Sequence, residues 1–332
     1  MATIKQVLEA GFGDKRILVV GDLVADQFLR GTIGRVSREA PVFILQHENT
    51  ETVGGGAANA AVNVASLGAV SEVVGLIGTD PNGDALVDAL ARSGVKTDRV
   101  VRSEILKTTT KLRVLAGHHY ARRQQVIRID YENEDGKSAE HSEEITRAAI
   151  GALEAADVLI VSDYGYGAAS PEIAREIIKV AGTREIPVLV DSRNALGGFD
   201  GATAATPNQE EVERLLEGDF EASACEALRR KLGLEALLVT LGNKGMCLLN
   251  DGREPVQIGI IGKDEPVDVT GAGDTVIAAF ALGVASGLGW ETAARMANHA
   301  GGIVVMKNGT DSVSHAELFE SIEKFEPSLL DA

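Results

Sequence analysis

From about residue 143 onward, short apolar runs alternate with stretches of helical periodicity, and this alternation constrains the fold more than any other feature. Residues 158–163, 187–191 and 236–240 are rich in Val, Leu and Ile without polar alternation, the pattern of strands buried on both faces. Residues 145–155, 171–181, 210–216 and 222–232 read as helices, and residues 202–205 as a short strand before Thr206-Pro207-Asn208. Such repetition predicts a doubly wound, mostly parallel α/β sheet with helices on both faces. Residues 16–22 supply a similar run near the start. Asp22, Asp163 and Asp191 stand at predicted carboxyl ends of strands, where sheets of this class place their ligands. Asp22 and Asp26 suit sugar hydroxyls, which donate hydrogen bonds. The alternatives are a helix cap for Asp22 and a surface charge for Asp26.

Earlier in the chain the pattern is different. Residues 73–78 read as a strand and 80–93 as a helix, but 40–48, 100–102, 111–116 and 126–130 are isolated, more polar strands. In Thr110-Lys111-Leu112-Arg113-Val114, Lys111 and Arg113 share one face and the apolar residues the other. With Arg122, Arg123 and Arg128 they concentrate positive charge in an acidic chain. Segments 38–52 and 105–132 are therefore expected to form a small β-sheet lid, inserted in a single domain spanning residues 1–332. The alternative is a solvated sheet edge whose charges block aggregation. Between the lid segments, Gly54-Gly55-Gly56 opens an Ala-rich helix over residues 57–65. Its N-terminus offers an anion or hydroxyl site. Asn59 in its first turns can reach a ligand or be satisfied internally.

Chemistry concentrates at Asp268-Val269-Thr270-Gly271-Ala272-Gly273-Asp274, which opens the apolar run through Ala285. Small residues leave backbone N–H groups uncovered, and a helix N-terminus directs them and its dipole at one point. Asp274 repels phosphate but can take a proton from a hydroxyl about to attack phosphate. An anion cradle beside a base predicts phosphoryl transfer to an alcohol. The plain alternative is a glycine turn with an Asp cap. Asn208 and Glu211, spaced i and i+3 at a helix start, supply oxygen ligands of the kind Mg²⁺ accepts alongside water, unless Asn208 is only a cap.

Bulk properties narrow the functions. A net charge of −17 argues against a nucleic-acid or anionic-membrane surface, so any phosphate site must be a local pocket opposing the overall field. Apolar residues make up 45% of the chain, which marks a globular protein. Cys225 and Cys247 have no metal-ligand neighbours at CxxC spacing and make no disulfide framework. With no signal-peptide pattern and no apolar run of about 18 residues, a reducing cytoplasm is expected. Neither a P-loop nor the protein-kinase motifs occur.

Gly271-Ala272-Gly273-Asp274, Gly54-Gly55-Gly56 with Asn59, Thr206-Pro207-Asn208 with Glu211, and Thr240-Leu241-Gly242, in this order along residues 16–315, resemble the PfkB, or ribokinase-like, carbohydrate kinases. Within that family, Gly21-Asp22 with Asp26, Ser37-Arg38-Glu39-Ala40-Pro41 and Ser162-Asp163-Tyr164 are similar to the heptose-7-phosphate kinases that form the kinase part of ADP-heptose synthases. The resemblance implies a ribokinase-like fold and a Mg²⁺·ATP-dependent kinase acting on a sugar or sugar phosphate, heptose 7-phosphate above all. Asp274 would be the base, with the turn Gly271, Ala272 and Gly273 as anion hole. Asp22, Asp26, Gly54, Gly55, Asn59, Lys111, Arg113, Arg128, Asp163 and Arg193 would hold the acceptor. Asn208 and Glu211 would order Mg²⁺ through water. Thr240, Gly242, Gly245 and Asn298 would border the nucleotide. Asp268 and Thr270 would serve a monovalent cation such as K⁺, and the lid would mediate a homodimer. This chain carries Tyr166 and Arg193 where the heptose kinases usually carry Lys. It has no HxGH motif, so the expectation covers the kinase alone. A kinase for another sugar or a nucleoside, and a non-catalytic sugar- or nucleotide-binding regulator, are the rival expectations.

Overall fold

The apolar runs become neighbouring strands of one sheet. The computed structural model describes residues 3–117, 123–133, 140–262, 265–307 and 309–331. In chain order the first half comprises α1 (Ile4–Ala10), β1 (Arg16–Gly21), β2 (Leu23–Val36), β3 (Phe43–Gly56), α2 (Ala57–Ser66), β4 (Val70–Val74), β5 (Leu76–Gly78), α3 (Pro81–Arg92), β6 (Val101–Ser103), β7 (Thr110–Gly117) and β8 (Gln124–Tyr131). The second half comprises α4 (Ser142–Ala152), β9 (Val158–Asp163), α5 (Pro171–Thr183), β10 (Val188–Ser192), β11 (Ala204–Ala205), α6 (Gln209–Leu216), α7 (Ala222–Lys231), β12 (Ala236–Thr240), β13 (Met246–Asn250), β14 (Val256–Ile258), α8 (Ala272–Ala285), α9 (Trp290–Val304) and α10 (His315–Phe325).

The main sheet has eight strands in the order β14-β13-β12-β11-β10-β9-β1-β4. It is parallel from β4 to β12, and β13 and β14 add an antiparallel edge. Successive residues of one strand face opposite cores, as the pleat dictates. Val19, Ile160 and Leu238 pack with α2, α8 and α9, whereas Val20, Val161 and Val239 pack with α4, α5 and α7. Helix α8 has no polar face: every residue from Asp274 to Gly283 is buried, between the sheet, α2 and α9. Among the described residues no helix is long and apolar enough to cross a membrane.

A second sheet of four strands, in the order β3-β2-β7-β8, is separate from the main one. Strand β2, 14 residues long and not assigned from the sequence, lies in the middle of the small sheet, antiparallel to β3 and parallel to β7. The glycines at 54–56 are the end of β3, and α2 starts directly after them. One expectation is corrected here. The run 73–78 divides at Gly75: β4 stays in the main sheet, while β5 leaves it to pair with β6. A Cβ at Gly75 would lie 2.5 Å from the Gly21 carbonyl oxygen, so only glycine fits this departure. Arg122 falls outside the described residues.

Candidate functional site

Gly271 caps α8 with φ +77°, and a Cβ there would lie 2.5 Å from Asn59 Nδ2. Both the left-handed backbone and the close approach require glycine. One turn on, Asp274 is 3% exposed. Asn59 Nδ2 donates to its Oδ2 at 2.8 Å, and the Tyr164 hydroxyl donates to its Oδ1 at 2.7 Å. Asn59 is itself fixed: Asn63 Nδ2 donates to its carbonyl and side-chain oxygens, and Thr275 Oγ1 donates to Asn63 Oδ1. Burial pushes the Asp274 pKa up to about 6, against the opposing pull of the Asn59 and Tyr164 donors. A carboxylate of that basicity is suited to accepting a proton near neutral pH.

A cleft of about 1240 Å³ opens beside this carboxylate, lined by Gly54, Asn59, Phe28, Arg113, Asp268 and Thr270 among others. Asp26, on β2, bonds Arg113 Nη1 at 2.7 Å; both side chains are largely buried. Lys111 lies on the same face of β7, its ammonium 5.7 Å from the Tyr166 ring centroid, and burial lowers its pKa. The glycine end of β3 pairs with β2 beside these side chains, Gly54 opposite Ala25 and Gly55 opposite Val24. A Cβ on Gly55 would sit 2.6 Å from Asp26 Oδ2, and one on Gly56 2.7 Å from the Asp22 carbonyl oxygen. Arg193, after β10, places its guanidinium 5.0 Å from the Tyr164 ring centroid.

On the other side of the glycine turn lies a smaller, mostly apolar cavity of about 210 Å³, whose lining includes Thr240, Gly242, Gly245, Val276, Asn298 and Gly301. Asn298 Nδ2 donates to the Gly259 carbonyl at 2.7 Å. Thr240 pairs with Asn208 through a parallel bridge, which brings the α6 N-terminus beside this cavity. The N-terminus of α8 therefore stands between an open polar cleft and a narrow apolar pocket, with a basic carboxylate at the junction. That is an arrangement for holding an anion and deprotonating a group next to it.

The sequence model of the pfkB family carbohydrate kinases matches residues 14–317. The chain belongs to the pfkB carbohydrate kinases. It is similar to the bifunctional protein HldE of Koribacter versatilis, 39% identical over 328 residues, covering 97% of this chain and 66% of that protein. HldE of Aeromonas salmonicida is 41% identical over 320 residues, covering 94% of this chain and 64% of that protein. The chain thus spans just under two thirds of the length of these relatives. Arabidopsis thaliana ribokinase in complex with ribose and ATP superposes with a TM-score of 0.70 at 22% identity, covering 95% of this chain and all of that one. Escherichia coli phosphofructokinase-2 in complex with potassium superposes with a TM-score of 0.74 at 18% identity, covering 96% of this chain and 99% of that one. These likenesses establish the ribokinase-like fold.

In this pfkB kinase Gly54, Asn59 and Arg113 line the cleft; Asp274 adjoins it through Asn59, Asp26 through Arg113 and Gly55 through Asp26. Ala272 and Gly273 of the glycine turn line the apolar pocket, and Lys111 and Arg193 lie against Tyr166 and Tyr164. Three expected acceptor ligands are placed otherwise. Asp22 accepts from the backbone N–H groups of Tyr164, Tyr166 and Ala168 at 2.8–2.9 Å and is 1% exposed, so its carboxylate holds a loop. Asp163 accepts from Gly165 N and Ser192 Oγ. Arg128 is exposed and bound in bidentate fashion by Asp130 of its own strand. Asp22 is taken by N–H groups of the loop after β9, more than a hundred positions away, and Asp163 by Gly165 of its own turn and Ser192 of the next strand, pairings that strand-end position alone does not reveal.

Asn208 and Glu211 form a reciprocal capping box on α6, with both bonds 2.9 Å. Burial raises the Glu211 pKa, and burial with the nearby charges of Asp274 and Glu211 raises that of Asp191 well above the usual range. Among the described residues no cluster of acidic side chains is close enough to cage a metal directly. Crowded negative charge with oxygen donors, relieved only partly by Arg193, nonetheless fits a divalent cation held through water and phosphate. Asp268 is ionised against burial by the N–H groups of Thr270 and Gly309, which leaves lone pairs on both oxygens for a monovalent cation. Asp191 and Tyr164 stand at the site without a role assigned from the sequence, although Asp191 occupies a strand end and Tyr164 closes Ser162-Asp163-Tyr164.

Proposed function

We propose that this carbohydrate kinase transfers the γ-phosphate of ATP to a hydroxyl of heptose 7-phosphate. The observation that carries the reading is the buried Asp274 carboxylate at the N-terminus of α8, between the polar cleft and the apolar pocket. The cleft takes the acceptor, with Asp26 and Asn59 at its hydroxyls and Lys111, Arg113 and Arg193 meeting an anionic group. The pocket between Thr240, Gly245 and Asn298 takes the adenine. Asp274 receives the hydroxyl proton as the oxygen attacks, and the N–H groups of Ala272, Gly273 and Asp274 stabilise the charge of the transferring group. Mg²⁺, ordered by Asn208 and Glu211 through water, supplies further charge neutralisation when bound, and Asp268 and Thr270 hold K⁺.

The acceptor assignment draws on the HldE relatives and on the cationic side chains facing the cleft. The small sheet leaves Val36, Phe43, Ile44, Ile127 and Ile129 at least 40% exposed, which supports a homodimer formed through it. A cytoplasmic location agrees with two buried free cysteines. The test is ADP release with a panel of free and phosphorylated sugars and nucleosides. Preference for heptose 7-phosphate is expected; a clear preference for an unphosphorylated sugar or a nucleoside would overturn the acceptor and keep the kinase. Tyr166 and Arg193, which depart from the heptose-kinase pattern, make that second outcome the one to look for.

A further inference from the structure

Among the described residues Asp274 has one side-chain donor on each carboxylate oxygen, Asn59 from α2 and Tyr164 from the loop after β9. We propose that Tyr164 is a positioning residue for phosphoryl transfer: its hydroxyl, aimed by a loop that Asp22 anchors, fixes the orientation of the Asp274 carboxylate and favours its ionised form. This rests on Asp274 being the proton acceptor.

The loop is built to hold the ring still. Asp22 Oδ2 accepts from the N–H of Tyr164 at 2.8 Å and of Tyr166 at 2.9 Å, and its Oδ1 from the N–H of Ala168 at 2.8 Å. Gly165 and Gly167 take the positive φ values, +82° and +91°, that turn these N–H groups inward. The ring lies against Gly56, where a Cβ would come within 3.4 Å of Tyr164 Cδ2, and beneath the Arg193 guanidinium. With its plane fixed, the ring can point its hydroxyl in one direction only, and that direction ends on Asp274 Oδ1. The hydroxyl is a donor at every working pH, because burial and the Asp274 charge push its own pKa well above the usual tyrosine range. Donors on both oxygens keep the carboxylate from rotating and leave one remaining lone pair on each to accept the substrate proton. The other groups that set its titration are Asp26 on β2, Lys111 on β7 and Asp191 on β10, with Arg193 after β10 facing the Tyr164 ring.

Tyr164→Phe keeps the ring, the stacking and the loop, and removes only the donor. The acid limb of kcat/KM should move upward by about one pH unit and kcat should fall about tenfold, the equivalent of one hydrogen bond to a carboxylate. Replacement of residue 164 by 3-fluorotyrosine, a stronger donor of the same shape, should move the limb the other way. Tyr166→Phe removes a neighbouring hydroxyl that donates to Glu132 and leaves both donors on Asp274, so its limb should stay at the wild-type position. A limb unmoved in both 164 variants, or moved equally by Tyr166→Phe, overturns the inference. Asp274→Asn measured alongside separates the two levels. If it stays fully active, the base assignment fails; if it is inactive while the 164 variants titrate like wild type, only the role of Tyr164 fails.

Discussion

Replacing Asp274 by Asn should make the protein more stable and far less active, and the two effects come from one feature. The carboxyl titrates at about 6 in the folded chain, against 3.8 as its ordinary value, because burial penalises the charge. A carboxyl with a raised folded-state pKa binds more protons folded than unfolded, so stability falls as pH rises from 3.8 to about 6, and the whole penalty stands above that window. The shift of about two units corresponds to about 3 kcal/mol at neutral pH. An amide at this position satisfies one of its two neighbours less well. It can accept from Asn59 Nδ2, but its NH₂ then faces the Tyr164 hydroxyl, which must turn its proton away, at about 1 kcal/mol. The net expectation is about 2 kcal/mol of stabilisation at pH 7, reversing to about 1 kcal/mol of destabilisation below pH 3.8, where the carboxyl is neutral in both states and only the hydrogen-bond cost remains. The backbone N–H groups survive, so positioning and charge stabilisation persist, while loss of the base should lower kcat by roughly 10²–10⁴-fold. ATP affinity should hold or tighten, since a negative charge near the γ-phosphate is gone. Denaturant unfolding from pH 3.5 to 8, kcat for ADP release and nucleotide calorimetry test the three parts. A variant less stable than wild type at pH 7, or one whose kcat falls less than about tenfold while ATP binding collapses, would refute the reasoning.

Arg193→Met should raise KM for a phosphorylated acceptor more than for its unphosphorylated analogue, in steady-state assays on both; equal effects would remove the case for a sugar phosphate. Gly271→Ala sets a side chain at φ +77° and 2.5 Å from Asn59 Nδ2, so unfolding measurements should show a loss of at least about 1–2 kcal/mol, with kcat reduced as Asn59 is displaced from Asp274. Asn208→Ala removes the capping box of α6 and should lower stability by about 1 kcal/mol while raising the KM for Mg²⁺·ATP; an unchanged KM would confine Asn208 to its helix.

The sequence made the main sheet legible because its strands are buried on both faces and announce themselves as unbroken apolar runs. Helix α8 and its glycine turn were equally plain. Strand β2 was not, because Gln27, Arg30, Thr32 and two glycines interrupt any apolar run, and its pairing with β7 joins residues 25–32 to residues 110–117. The glycines of β3 announce no strand because they are poor strand formers, yet they serve there to let two strands and a helix meet. The destinations of Asp22 and Tyr164 depend on partners more than a hundred positions away, a distance no local pattern spans. Local periodicity encodes which element forms; only packing decides which oxygen a given proton finds.

Two parts of the cleft lining differ in how they can change over evolutionary time. Along the end of β3 the wall is bare backbone, set so close to Asp22 and Asp26 that any side chain collides, and substitution there removes the site before it can reshape it. Beside it in the same small sheet, Phe28 and Arg30 project from β2 and Arg113 from β7, on strands that do not belong to the main sheet. Variation on that side leaves the catalytic helix and both hydrophobic cores untouched. A descendant of this enzyme that came to prefer a different acceptor would therefore be expected to record the change in the small sheet, with its glycine strand and the α8 turn unaltered.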